Sequence, residues 1–157
     1  MTESPKLTGH LLSIKTRVPY DEAINHPFLH SAGLRTLNND LLALWLSQDR
    51  IYAGHAYPRF IGYLMTKIPF ASHHDVNSEQ ELKNQRILRI LAFCVENIVR
   101  EESFFRDTSK KFGLPLDVWN EREATRNYTA EMLRVGSSLS LEEGLVFLWA
   151  MEKVRVI

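Results

Sequence analysis

Asp49 and Tyr52 are the residues whose types and spacing could do chemistry. They lie in the stretch 41–60, LLALWLSQDRIYAGHAYPRF. On a helix, residues three and four apart are neighbours, so Trp45, Asp49, Tyr52 and Ala56 fall on one stripe. Leu41, Leu42, Leu44 and Leu46 make the preceding turns apolar on nearly every side, and the stretch reads as a long buried helix. A carboxylate on such a helix is costly to bury without a partner. Two readings follow. Either Asp49 bonds a tyrosine to fix helix packing, or it lines a pocket and grips a ligand.

Other reactive side chains carry weaker signals. Cys94 is the single cysteine. It lies on the apolar spacing of Ile87, Leu91, Ile98 and Phe105, and reads as a small core residue. A nucleophilic thiolate would need an electropositive, accessible setting instead. His26 and His30 are one turn apart, but a catalytic metal site wants three protein ligands, and these read as solvent-facing side chains at a helix start. His73-His74-Asp75 reads as a solvated loop. No metal site is expected. There is no phosphate-cradling glycine loop, no paired-cysteine signature and no HExxH motif.

Nineteen Lys and Arg balance nineteen Asp and Glu. Nothing in that balance favours nucleic acid or an anionic membrane as partner. The lone cysteine argues against an internal disulfide framework and fits a reducing compartment. No apolar run approaches the roughly 20 residues of a membrane span. The chain is expected to be cytoplasmic.

The 157 residues fit one domain. Residues 1–19 are polar, with Pro5 and Pro19, and read as irregular. Helical character starts near Tyr20, with Asp21 as a candidate cap. Pro27 either interrupts this element or opens a new helix after a turn at His26; Gly33 ends it. The central helical segment is 37–67, with a kink or break near Tyr57 imposed by Pro58. The longest pattern is 78–112, opened by a Ser78/Glu81 capping box and closed by Gly113. A fourth helix spans 121–135 and carries Thr125, Tyr128, Met132 and Val135 on one face, with Gly136 as its stop. Ser140 and Glu143 form a second capping box before Leu145-Val146-Phe147-Leu148-Trp149. That last helix is apolar all round and is expected to be central. No segment alternates with period two, so the fold class is all-α.

Several of these residues together resemble a known family. His26-Pro27-Phe28, Gly33, Leu37 and then Trp45-Leu46-x-Gln48-Asp49-x-x-Tyr52 look like the N-terminal half of the TenA family, whose best known activity is thiaminase II, the aminopyrimidine aminohydrolase of thiamin salvage. Glu101-Glu102, Phe104-Phe105 and Phe112-Gly113-Leu114 are similar to the end of the family's third helix, and Tyr128 sits where the family places an aromatic. The match covers roughly residues 24–150. It implies a haem-oxygenase-like helical bundle, a homo-oligomer, and a pocket that holds an aminopyrimidine without a cofactor. Asp49 would bond the amino group and ring nitrogen, Tyr52 would orient the nucleophile or leaving group, and Tyr128 would stack on the ring, with Trp45 on the same stripe.

Two departures stand out. The family's nucleophilic cysteine has no equivalent near Ala150; members of one branch use a carboxylate there, and Glu152 is the acid this chain offers. The chain also closes at Val154-Arg155-Val156-Ile157, where family members continue through further helices, and so reads as cut short. Apolar surface left open in that way would be covered by dimerisation or by swapping of an element between copies. The expectation is a thiaminase II-like protein that hydrolyses or binds an aminopyrimidine. The alternative is a catalytically incomplete bundle that binds a small heteroaromatic, or a partner, without turnover.

Overall fold

The computed structural model describes residues 6–155, with side chains through Lys153. The fold is all-α: helices α1 (Leu7–Ser13), α2 (Tyr20–Ile24), α3 (Pro27–Gly33), α4 (Asn39–Ile51), α5 (Tyr57–Thr66), α6 (Glu79–Phe112), α7 (Glu123–Ser138) and α8 (Leu141–Arg155), with a π-helical turn, Tyr52–Ala56, joining α4 to α5. Two compact units are distinguished, one reaching to Leu37 and one spanning Asn38–Lys153.

In the first unit, α1 lies within the segment expected to be irregular, and none of its residues is buried. Its start has no side-chain cap, and in its last turn Ser13 Oγ donates to His10 O at 2.7 Å. Asp21 does not cap α2: Pro19 occupies the cap position, and Asp21 falls inside the first turn. His26 is the cap of α3, its Nδ1 accepting from the Phe28 N–H at 3.1 Å, with Pro27 at the first helical position. Pro27 thus opens a helix rather than breaking one, because its missing N–H falls where no intrahelical partner exists.

The second unit holds the core. Asn38 caps α4, its Oδ1 accepting from the N–H groups of Asp40 and Leu41 at 2.7 and 3.1 Å, a cap of about 1 kcal/mol. Ala43, Leu46 and Ser47 are buried, but Leu41 and Trp45 are 44% and 40% exposed, so α4 is amphipathic rather than enclosed. The expected disturbance before Pro58 is a widened turn, not a break. The N–H of Tyr57 bonds to Tyr52 O, five residues back. Proline has no N–H, and its ring would meet the carbonyl four residues earlier; the wider turn accommodates both demands while the chain stays helical.

Tyr57, Phe60, Ile61 and Leu64 of α5 are fully buried and form the centre of the core. Leu91, Cys94, Ile98 and Phe105 of α6 pack into it, as their spacing indicates. Ser78 Oγ accepts from Glu81 N–H at 3.2 Å, and Gly113, at φ 62°, ends α6 in the left-handed region. Gly136 does not end α7, which runs to Ser138. Its role is close approach: a Cβ there would lie 3.1 Å from Phe60 Cδ2 and 3.3 Å from Tyr63 Cβ.

The Ser140/Glu143 box is complete in both directions, at 2.9 and 3.2 Å. Those bonds, from the Ser140 backbone first, hold the Glu143 carboxyl below its ordinary range. Helix α8 is not central. Leu141, Gly144, Leu148 and Met151 are buried while Glu142, Glu143, Val146 and Ala150 are exposed, so one face packs and the other meets solvent. An apolar residue on a short helix is buried only where a neighbour covers it.

One polar cluster lies inside this unit. Tyr57 is 1% exposed, and its hydroxyl donates to Glu152 Oε1 at 2.6 Å. The Cys94 thiol is in hydrogen-bonding contact with the same hydroxyl. Burial, and then the bond to Glu152, push the tyrosine far above its ordinary ionisation range. The native state therefore keeps a proton that the unfolded chain gives up from about pH 10. The stabilisation by Tyr57 is complete below that pH and is lost as pH rises above it. Tyr57→Phe is expected to destabilise by about 1–3 kcal/mol at neutral pH, and its difference from the parent protein should shrink above about pH 10. Denaturant unfolding at pH 7, 9 and 10.5 checks this; a constant difference would contradict it.

Candidate functional site

The site is built by α4, the π-turn and the N-terminal half of α7. Trp45, Gln48 and Asp49 follow one another on one stripe of α4, Tyr52 continues it at the start of the π-turn, and Ala124, Thr125 and Tyr128 face them from α7. Together these residues line an open cavity of about 310 Å³. That volume is at the small end of ligand pockets. Asp49 and Tyr52 are half-buried, and Trp45 stands at the exposed rim. The rings of Tyr52 and Tyr128 lie 5.5 Å apart, tilted by 57°. Tyr128 continues to Phe147 at 6.4 Å, and Phe147 meets Phe60 edge-on at 5.5 Å. The aromatic wall of the cavity is thus continuous with the core, which limits how far either tyrosine can rotate.

Helix α7 needs help to start where it does. Arg122 occupies its cap position and provides no side-chain cap bond. Gln48 supplies it from across the cavity: its Oε1 accepts from the Arg122 N–H at 2.7 Å and from Thr125 Oγ1 at 2.8 Å. Its Nε2 donates to Asn120 O at 3.1 Å and to Ser47 Oγ at 3.2 Å. The amide uses both donors and both acceptor positions. Ser47, itself fully buried, donates in turn to Leu44 O at 2.7 Å. The sequence motif contains Gln48, yet spacing assigns it no task, because three of its partners, Asn120, Arg122 and Thr125, lie more than seventy residues away.

Of the residues singled out from sequence, Trp45, Asp49, Tyr52 and Tyr128 are brought together around this cavity. Glu152 is not among its lining residues and instead accepts from Tyr57. Cys94 is 8% exposed in the core and does not line it either. His26 serves its own helix start, and His73 and His74 stack edge-on at 5.0 Å with His74 Nδ1 3.8 Å from Glu81 Oε2. Among the described residues no three His, Cys, Asp or Glu side chains gather as a metal-holding group. Chemically, the cavity offers one carboxylate acceptor, tyrosine hydroxyls and flat aromatic walls. Those groups suit a planar, nitrogen-rich ring: N–H donors to the carboxylate, ring faces to the tyrosines.

Comparison with known proteins gives one relevant similarity. The chain is 30% identical over 152 residues, or 96% of its length, to a probable transcription factor of Fusarium pseudograminearum, and spans 29% of the length of that protein. No family model matches the chain, and no solved structure matches it. Among the described residues no helix is long and apolar enough to cross a membrane.

Removing the Gln48 amide strands the Arg122 N–H and the Thr125 hydroxyl at once. Gln48→Ala is expected to cost about 2 kcal/mol, or roughly 4–8 °C in Tm for a domain of this length. Gln48→Glu, which keeps the acceptor oxygen, should cost less. Thermal unfolding followed by circular dichroism measures both; a loss below about 0.5 kcal/mol for the alanine variant would remove Gln48 from this role.

Proposed function

We propose that the cavity of Asp49, Tyr52, Tyr128 and Trp45 binds an aminopyrimidine, as a TenA-like member of the haem-oxygenase-like bundles would. One observation carries this: the four residues that the family resemblance selects line a single cavity, with a carboxylate on one side and aromatic rings around it. In this reading Asp49 accepts from the exocyclic amine and the protonated ring nitrogen, Tyr128 stacks on the ring, Tyr52 holds the substituent, and Trp45 closes the rim.

Binding is supported better than hydrolysis. The thiol and the candidate catalytic carboxylate, Cys94 and Glu152, are both committed to Tyr57 and not to the cavity lining. We therefore place binding without turnover ahead of aminopyrimidine hydrolysis. The protein acts in the cytoplasm as a homo-oligomer. Ile90, Phe93, Val99 and Phe104 of α6, between 48% and 63% exposed, supply apolar surface for self-association.

The similarity to the fungal protein favours a second reading of the same cavity. In it, this helical section belongs to a longer regulator of transcription, and the bound heteroaromatic is the signal rather than a substrate.

Calorimetric titration with 4-amino-5-aminomethyl-2-methylpyrimidine is expected to show saturable binding to the parent protein. Asp49→Asn should weaken it at least about tenfold, the loss of about 1.4 kcal/mol expected for a charge-assisted bond, while leaving the helical circular dichroism unchanged. Equal affinity in the variant removes Asp49 from the site. Release of hydroxymethylpyrimidine from the same compound would put hydrolysis back ahead of simple binding.

A further inference from the structure

A larger cavity, of about 490 Å³, lies on another side of the same helices and shares no lining residue with the first. Ile51, His55, Ala56, Arg59 and Phe60 form one wall, from the end of α4 through the π-turn into α5. Arg126, Thr129, Ala130 and Leu133 of α7, with Glu121 before it, form the other. His55 and Arg59 are four residues apart on one face; Arg126 and Thr129 are three apart on the facing helix.

The polar groups of this cleft are unevenly balanced. Two arginines, both exposed, and one glutamate, Glu121, line it, and Glu121 Oε1 already accepts from Thr129 Oγ1 at 3.2 Å. Arg126 Nη1 donates to the Glu121 backbone oxygen at 2.8 Å, which fixes the side chain without neutralising it. Among the described residues neither arginine has a carboxylate partner. The rest of the lining is apolar: Ile51, Phe60 and Leu133 with two alanines. Guanidinium forks match the oxygens of a phosphate two at a time, and an apolar wall beside them selects for a carbon body on the ester. The π-turn that carries His55 is the kind of helix irregularity that re-aims side chains at functional sites.

We propose that this cleft binds a small organic phosphate monoester, with Arg59 and Arg126 holding the phosphate from opposite walls, His55 adding a ring N–H, and the body of the ester lying against Ile51 and Leu133. The site is independent of the aminopyrimidine reading. It would stand if that reading failed.

The test is a titration with phenyl phosphate, followed by calorimetry at low salt. Saturable binding is expected, tighter than that of inorganic phosphate because the ring is covered. Arg59→Ala and Arg126→Ala should each weaken it about tenfold or more, and Glu121→Gln, which removes the opposing charge and keeps the acceptor for Thr129, should tighten it by a few fold. Asp49→Asn should leave it unchanged. No saturation below about 5 mM, equal affinity in the two alanine variants, loss of binding in Asp49→Asn, or benzoate binding as tightly as phenyl phosphate would each overturn the proposal. Circular dichroism of every variant confirms that the helices remain.

Discussion

The amide of Gln48 is the contact on which the placement of both cavities depends. Helix α7 begins without a side-chain cap of its own, and its first free N–H is satisfied from α4. A helix start left unsatisfied frays. Fraying here would carry Thr125 and Tyr128 away from Asp49 and Tyr52, and would release Arg126 and Thr129 on the neighbouring face. Both cavities are lined by α7 together with the α4–α5 rod. A single side chain therefore sets the alignment of two surfaces that share no residue.

The core beneath them obeys a second constraint, the cost of dehydrating polar atoms. Asn84 is wholly buried, and its amide donates to Pro69 O at 3.0 Å while its Oδ1 accepts from Gln80 Nε2 at 2.8 Å. Lys67 Nζ reaches Leu139 O at the end of α7. The Tyr57 hydroxyl bonds Glu152 and lies against Cys94, joining α5 to α8 and α6. Each of these groups ties a loop or helix end to the middle of another element. Polar bonding in the interior thus specifies which helices meet, while apolar burial supplies most of the attraction.

Much of this was legible from local pattern. The limits of α6, the reciprocal box at Ser140 and the buried stripe from Leu91 to Phe105 are short-range features, written in residues three or four apart. The gathering of Asp49 and Tyr52 on one helical face is local in the same sense. What spacing cannot carry is the neighbour. Leu41 and Trp45 are apolar yet exposed, and α8 turns half of an apolar surface to solvent, because burial depends on what lies across from a face. Gly136 carries the usual mark of a helix end, but here it is the gap into which Phe60 and Tyr63 fit. Gln48 and the pair Arg59 and Arg126 acquire meaning only when α7 is laid against α4 and α5. A helix from residue 7 to 13 was hidden by its polar composition.

The π-turn at Tyr52–Ala56 has a geometric corollary. Such a turn holds one residue more than an α-helical path needs, and each residue advances the helical azimuth by about 100°. The phase of everything after it is offset by that amount from the phase of everything before it. Asp49 and Arg59 are therefore presented in directions that an unbroken rod could not provide. Shortening the turn by one residue would swing the whole of α5 around its axis, and the buried row of Tyr57, Phe60, Ile61 and Leu64 would no longer point at its neighbours. The extra residue is in this sense a hinge pin for side-chain direction, set by a proline that sits just beyond it.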